Sequence, residues 1–472
     1  MKRDIGLSGQ SRRDFIKGVI TASAALGLGP LKALEQLERM GGSALAEEAC
    51  TSACRVINIV AGNGGLSWFT LLWPVPQVAE QRGANYAYDD YSRIARVPGT
   101  AEGHPLYVRM LDGRPLWDKF GARKRVTAIL TGVDETHRVA PERNNVLSNN
   151  VQLFAATAVL QNALQSLVPV ISINQGGTAM RYGPAPGAPP RAAVSGAEEM
   201  VGLFSSAASR LQNRLGTPAN RALYEQFHKA FLGLTRTANR PLYQRAYSDA
   251  RVAAALLSQN LGEVLRPKPD QMARYVPNPN LPGGRGSRIT DLAQRLIVTV
   301  NAFRLGLTAQ VIIPAFNDDP HQAFDGGYAG PVADALARVM QALMEDLDQH
   351  NEPLCTAAGR RLSDNVVITV SGDTTKNPFD RTGWPDGAPG NSHWIYVMSN
   401  GFLKPGWFGR VSTSGRTNFN PQTGALQEGV SNSDATDASL AAVLYAVSRA
   451  NERQVRTFFG GEYSGLIVPP SG

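Results

Sequence analysis

The sequence is poor in cysteine, in aromatic side chains and in long apolar runs. Its 472 residues include three cysteines, 7% aromatic residues and 18% charged residues. A weakly apolar run near the N-terminus, Gly18–Leu31, is too short to be a convincing membrane span. No dense run of lysine and arginine occurs, which argues against a nucleic-acid partner. The 43% apolar content is nevertheless enough for a large core in a chain of this length.

The N-terminus carries the pattern of an export signal. Ser11–Lys17 reads S-R-R-x-F-x-K, the Gly/Ala-rich run follows, and Ala44–Ala46 forms an A-x-A cleavage pattern. Together these predict a twin-arginine signal peptide over residues 1–46, a periplasmic or secreted product, and the twin-arginine translocase as a partner during export. The alternative is a basic N-terminus on a structural helix. The signal holds 7 basic and 4 acidic residues, which leaves 40 basic and 35 acidic in the mature chain.

The cysteines permit one disulfide. Cys50 and Cys54 lie just after the predicted cleavage site, and Cys355 is far away in the chain. In an oxidising compartment we expect either Cys50–Cys54 or one of these two joined to Cys355. A lone C-x-x-x-C pair gives little support to a zinc site.

Short, continuously apolar runs alternate with segments of helical spacing. Strands are predicted at 55–61, 124–131, 168–174, 311–315, 366–370 and 394–398, and helical segments at 149–167, 195–262, 287–305, 331–347 and 438–449. Loops rich in Pro and Gly are predicted at 182–194 and 266–286. The pattern predicts an α/β fold with a mainly parallel sheet sandwiched by helices. We expect a single α/β domain over 47–472 with a helical insertion at about 195–286, although two domains would also fit.

Polar side chains follow several of these strands. Val311–Phe324 reads VIIPAFNDDPHQAF, so that Asp319 and His321 come directly after an apolar run. Other such residues are Asn63, Asp134, His137 and Asp373. In open α/β sheets ligands bind beyond the carboxyl ends of the strands. We therefore expect these residues to meet in one crevice, the alternative being solvated loops and a helix-capping aspartate.

A divalent metal is the chemistry that these residues predict. Asp319, His321, Asp373 and His393 offer carboxylate and imidazole ligands from three segments. Zinc, calcium and manganese are the candidate ions. Two metals about 4 Å apart would hold the attacking and leaving oxygens of an ester. The alternative is that both histidines are ordinary loop residues.

Three blocks of the chain resemble an uncharacterised twin-arginine-exported bacterial family related to the alkaline phosphatase/sulfatase superfamily. They are Asn58–Pro74 with its double glycine, Phe316–His321 with the following helix, and 365–409, which includes Gly390–Trp394. The resemblance implies an alkaline phosphatase-like fold and a metal-dependent hydrolase of phosphate or sulfate esters. It also implies metal ligation by Asp319, His321 and His393, with Asp373 in a second position.

The chain departs from that family at several positions. Trp68 and Thr70 stand where the family commonly has His and Asp, and Ser392 replaces an Asp. Neutral Asn63 is a poor substitute for a carboxylate ligand. The chain is therefore a one-metal enzyme, an enzyme with altered ligands, or a remnant used for binding.

The nucleophile and the substrate contacts are predicted on loops. Superfamily members place a nucleophile at a helix N-terminus; Thr136 is the candidate here, with His137 beside it, and a plain N-cap threonine is the alternative. Asn63, Arg138 and Lys376 are the predicted substrate contacts. The Gly62–Ser67 turn only partly matches a dinucleotide motif, and G-x-S-x-G is absent. The leading hypothesis is an exported metal-dependent hydrolase of phosphate or sulfate esters. The alternative is a non-catalytic cell-envelope binding protein on a degenerate alkaline phosphatase-like scaffold.

Overall fold

The structure is a computed structural model that describes part of the chain. The described residues are 52–72, 125–132, 144–164, 166–174, 182–212, 261–323, 326–355, 359–373, 375–377, 384–390, 392–412 and 415–469. The predicted signal peptide, Cys50, Thr136, His137 and Arg138 lie outside them.

An eight-stranded sheet organises the fold, in the order β4-β3-β5-β1-β6-β7-β2-β8. Its strands are β1 Arg55–Ala61, β2 Arg125–Thr131, β3 Val170–Ile173, β4 Arg191–Val194, β5 Gln310–Ala315, β6 Val366–Gly372, β7 His393–Ser399 and β8 Gly406–Phe408. A separate hairpin pairs β9 Arg410–Ser412 with β10 Gly415–Thr417. Only β7 runs antiparallel to its neighbours β6 and β2, and the other pairs in this sheet are parallel. The prediction of a mainly parallel α/β sheet is confirmed.

Helices precede and follow the strands along the chain. They are α1 Leu66–Leu72, α2 Leu153–Leu160, α3 Ala197–Gln212, α4 Leu261–Leu265, α5 Pro269–Tyr275, α6 Arg285–Arg304, α7 Ala329–Gln349, α8 Asn432–Val447 and α9 Glu452–Val455. Short 3₁₀ turns span Gln161–Ala163, Pro282–Gly284 and Leu362–Asn365. In the described residues no helix is both long enough and apolar enough to cross a membrane.

Two hydrophobic clusters cover the two faces of the sheet. Along β1, Ile57 and Ile59 belong to the cluster that contains the apolar residues of α6 and α7. Val56 and Val60 belong to the other cluster, with α2 and α8. Alternate residues of a strand point to opposite faces, so both faces of β1 are buried, and five of its seven residues are apolar.

The helices start where local capping and spacing favour them. The Gln152 side chain accepts hydrogen bonds from Phe154 N at 2.6 Å and Ala155 N at 3.2 Å, which caps α2. Ser431 caps α8 by accepting from Asp434 N at 3.0 Å. In α7 the predicted apolar stripe is buried, namely Val332, Leu336, Val339, Leu343 and Leu347.

Two predicted loops contain regular structure. β4 lies within 182–194, where only Val194 of its four residues is buried. A short edge strand of this kind lacks the apolar run by which buried strands are recognised. Helix α5 lies within 266–286 and begins with a proline at its first position. Of the predicted helical insertion, the structure describes α3, α4 and α5 and the start of α6.

A fully buried ion pair ties the start of β1 to the segment after α7. Arg55 donates from Nε and Nη2 to the two carboxylate oxygens of Glu352, at 2.8 and 2.7 Å, and from Nη1 to the Thr308 carbonyl oxygen. Both side chains have no exposed surface. The bidentate geometry satisfies both carboxylate oxygens inside the core.

The cysteines near this pair are in different states. Cys355 is in a disulfide, whereas Cys54 is a free, buried thiol. Burial raises the pKa of Cys54 to about 11, so that it stays protonated and unreactive. Both predicted pairings that use Cys54 are therefore wrong.

Candidate metal site

The candidate site lies at one edge of the sheet. Strands β1, β2, β3, β5 and β6 end at this edge, and β7 begins there because it runs the opposite way. The loops after β1, β5 and β6 and the start of β7 therefore meet. This is the edge at which open α/β sheets bind ligands.

A glycine turn after β1 lies beside Lys376 and Asp319. Asn63 and Gly64 have positive φ values of 47° and 77°. The Asp373 carboxylate fixes the turn by accepting hydrogen bonds from Asn63 N at 3.0 Å and Gly64 N at 2.8 Å. Gly65 lies against the next loop, where a Cβ atom would overlap the Phe316 carbonyl oxygen. Only glycine fits at this position without a backbone shift.

Ion pairs hold the loop after β5 in place. Phe316 has a φ of 49° and accepts a hydrogen bond from Asp318 N at 2.9 Å. Asp318 is buried between Arg285, whose Nε lies 2.7 Å from its carboxylate, and Arg288. Asp318 therefore anchors the loop to the start of α6.

A second contact fixes the far end of the same loop. The Tyr328 hydroxyl donates to the His321 carbonyl oxygen at 2.8 Å. Burial raises the pKa of Tyr328, which keeps the phenol protonated and able to donate. The Arg285 guanidinium lies 3.8 Å from the centre of the Tyr328 ring, a cation–π distance. Contacts from Arg285 at the start of α6 and from Tyr328 just before α7 therefore hold the backbone of Asp319 and His321 in place.

Asp319, His321 and Asp386 form a group that has the ligand types of a metal site. One ligand atom from each lies within 4.8 Å of the other two. His321 Nε2 is 3.3 Å from the Asp319 carboxylate and 3.7 Å from that of Asp386. These side chains are about 40% exposed, so an ion and a substrate can reach them from solvent. Among the described residues this is the group whose geometry fits a shared cation.

The ammonium group of Lys376 lies in the middle of this group. Its Nζ is 2.6 Å from Asp319 Oδ1 and 3.1 Å from His321 Nε2, and it also contacts Asp386 Oδ1. The Lys376 side chain itself has no exposed surface. Because an ammonium group only donates, its contact with His321 uses the lone pair of Nε2. The Nε2 lone pair is also the one that a metal would take.

The other predicted ligands lie elsewhere along this edge. Asp373 is occupied with the glycine turn, and the His393 ring packs against Gly132 at the end of β2. β5 and β7 are separated by β1 and β6, which puts their ends about 14 Å apart at about 4.8 Å per strand. The structure therefore brings Asp319 and His321 together but leaves Asp373 and His393 outside the group of three.

Two of the positions that depart from the resembled family, Trp68 and Thr70, are filled by buried residues. Trp68 is fully buried, with its ring centre 6.0 Å from those of both Phe316 and Trp384. The Thr70 hydroxyl donates back to the Leu66 carbonyl oxygen at 3.1 Å. Asn63 contributes its backbone N–H to the Asp373 contact, and its side chain is exposed.

Sequence reasoning missed Asp386 as a site residue. It lies in Pro385-Asp386-Gly387, a composition that is typical of a turn. Its only sequence signal is an acidic residue between β6 and β7, whose facing ends belong to the site edge. Two contacts bring this segment to the site. Asn377 N donates to the Pro385 carbonyl oxygen at 3.0 Å, and Trp384 packs on Trp68.

No protein-family model, curated protein or solved structure matches the chain.

Proposed function

We propose that this protein is an exported metal-dependent hydrolase of phosphate or sulfate esters. The observation that carries the proposal is the group formed by Asp319, His321 and Asp386 at the ligand-binding edge of a mainly parallel sheet. The resemblance of the chain to the alkaline phosphatase/sulfatase superfamily supports this reaction class, and an alkaline phosphatase-like fold is part of the proposal.

The donor set fits a divalent transition metal. Two carboxylates and one imidazole provide three ligands and leave at least one position for water or substrate, as catalytic metal sites require. An imidazole suits zinc and manganese better than calcium, which prefers oxygen ligands. When bound, such an ion polarises an ester oxygen and lowers the pKa of a bound water.

The protein's own residues favour an anionic substrate. Lys376 provides a positive charge, and its buried side chain directs that charge into the group. Asp373 holds the backbone of Asn63 and Gly64 in place, which keeps the glycine turn after β1 rigid. Arg138 remains a predicted substrate contact, and Thr136 with His137 the predicted nucleophile and its neighbour.

Export through the twin-arginine translocase is supported by the N-terminal motif over residues 1–46. The disulfide at Cys355 is also typical of a protein that reaches an oxidising compartment. Both observations support the proposed periplasmic or secreted location.

One observation favours the second candidate, a non-catalytic binding protein on the same scaffold. Lys376 already neutralises part of the charge of Asp319 and Asp386, so the cluster is satisfied as an internal ion-pair network. In that case an anionic ester would bind without being hydrolysed.

Elemental analysis combined with an ester screen separates the two candidates. Protein purified without chelator is expected to contain about one zinc or manganese per chain and to hydrolyse 4-nitrophenyl phosphate or 4-nitrophenyl sulfate. His321→Ala and Asp386→Asn should lower both metal content and turnover. Because they remove direct ligands, the loss in turnover should exceed about 100-fold, the upper end of the effect of residues that only support ligands.

Matched controls come from outside the group. His350→Ala removes a half-buried histidine, and Asp270→Asn removes an exposed carboxylate in the first turn of α5. Both should leave metal content and turnover unchanged. A metal-free wild type, with His321→Ala and Asp386→Asn indistinguishable from it, would contradict the hydrolase and leave the binding protein.

A further inference from the structure

We propose that Lys376 is a built-in cation that competes with the divalent ion for Asp319 and Asp386. The ion is the one invoked in the proposed function, on which this inference rests. The competition sets how tightly the site holds its metal and keeps the site assembled when the metal is absent.

The position of Lys376 is determined by the fold. Its backbone N–H donates to the Ser67 hydroxyl at 2.7 Å, and the neighbouring Thr375 hydroxyl donates to the Ser392 carbonyl oxygen at 2.6 Å. Its Cε lies beside Gly64, 3.0 Å from where a Cβ atom would stand. Lysine is almost never fully buried unless it is paired. The fold therefore directs this side chain into the site instead of into solvent.

The lysine and the metal need the same three side chains. The ammonium contacts Oδ1 of Asp319, Oδ1 of Asp386 and Nε2 of His321, one atom on each of the side chains that could share a metal ion. An ammonium and a divalent ion at such separations also repel each other strongly. Metal entry must therefore break the lysine contacts, and metal loss restores them.

The competition has two consequences for the protein. The metal affinity of the wild-type protein is lower than its three ligands would give alone. The carboxylates of two separate loops, after β5 and before β7, stay together without metal because Lys376 bridges them.

The test compares Mn²⁺ binding to the metal-stripped full chain and to two variants, by isothermal titration calorimetry. Lys376→Met keeps most of the apolar stem and removes the charge, and Lys376→Gln is a second neutral variant in case the first folds poorly. We expect Mn²⁺ to bind either variant at least about tenfold more tightly than wild type, because two charge-assisted contacts no longer oppose binding. Mn²⁺ should also raise the thermal midpoint of the variants more than that of wild type.

Lys404→Met is the matched control. The Lys404 ammonium donates to the Gly465 carbonyl oxygen at 2.8 Å, and the residue follows β7 at the opposite edge of the sheet. Its loss changes the net charge equally but should leave Mn²⁺ affinity at the wild-type value.

The outcomes distinguish failure of the inference from failure of the proposed function. Equal or weaker Mn²⁺ binding by both Lys376 variants, with binding by wild type, overturns the competition and leaves the metal site standing. Binding by the variants alone supports the competition. An absence of binding by all of the proteins overturns the competition together with the metal-dependent function.

Discussion

The two edges of the sheet each hold a cation among carboxylates, and the two arrangements differ in exposure and in charge balance. At the start of β1, Arg55 and Glu352 form a one-to-one pair with no exposed surface. At the other edge, Lys376 faces two carboxylates, Asp319 and Asp386, each about 40% exposed. The first arrangement is closed to solvent, whereas solvent can reach both carboxylates of the second.

This difference separates a structural ion pair from a candidate functional one. The buried pair gains nothing from a further ion, because both Glu352 oxygens accept from Arg55. The exposed group joins two carboxylates to an imidazole around Lys376. Ligands of mixed type, held by loops that other residues fix in place, are what a metal site requires.

The largest expected effect comes from breaking the buried pair. Arg55→Met leaves the Glu352 carboxylate buried without its partner, which should lower the free energy of unfolding by about 3–5 kcal/mol. Chemical denaturation measures this loss. Mn²⁺ affinity of the folded fraction should not change, because the pair lies at the opposite edge from the site.

The control for this prediction is an exposed ion pair. Arg266 and Glu198 are 3.3 Å apart, with side chains 57% and 74% exposed. Arg266→Met should cost less than about 1 kcal/mol, since exposed pairs contribute little. Equal losses in Arg55→Met and Arg266→Met would mean that burial does not distinguish the two kinds of pair.

A smaller effect on stability, but a large one on the site, is expected from Gly65→Ala. The new methyl group would overlap the Phe316 carbonyl oxygen and push the loop carrying Asp319 and His321 away from the glycine turn. Overpacking of this kind costs about 1–3 kcal/mol. Mn²⁺ affinity and ester turnover should fall with it, although no ligand has been changed.

Gly196→Ala is the matched glycine substitution, because a Cβ atom there would have no neighbour within 4 Å. It should alter neither stability nor affinity by a measurable amount. If Gly65→Ala retained wild-type Mn²⁺ affinity, the close approach of the two loops would not be what positions the ligands.

Sequence patterns predicted the buried part of this fold well because burial leaves a local signature. The predicted strand 55–61 matches β1 exactly, and 311–315 is one residue shorter than β5. Both strands are covered on both faces, so every residue in them is buried and most are apolar. Edge strand β4 has intermediate and exposed residues and could not be told from a loop.

The candidate site was predictable only where potential ligand side chains come directly after a strand in the sequence. Asp319 and His321 come at once after β5, and they are two of the three members of the group. Asp386 joins them through a segment that contacts Asn377 and Trp68, and no local sequence pattern predicts these contacts. Lys376 was predicted as a substrate contact from its charge, whereas its burial depends on Gly64 and Ser67, over 300 residues earlier in the chain.

The smallest expected effect is a pH dependence of stability at the edge of the sheet that carries Arg55 and Glu352. His350 lies two residues before Glu352, and burial, followed by the charge of Arg304, lowers the pKa of this histidine. A histidine whose pKa is lower in the folded state binds its proton more readily when unfolded. Its contribution is therefore fully present above the unfolded pKa of about 6.5 and is lost as pH falls through the folded value. Thermal midpoints measured between about pH 7.5 and 5 should decline for wild type and decline less for His350→Gln. An equal decline in both proteins would place the pH sensitivity elsewhere.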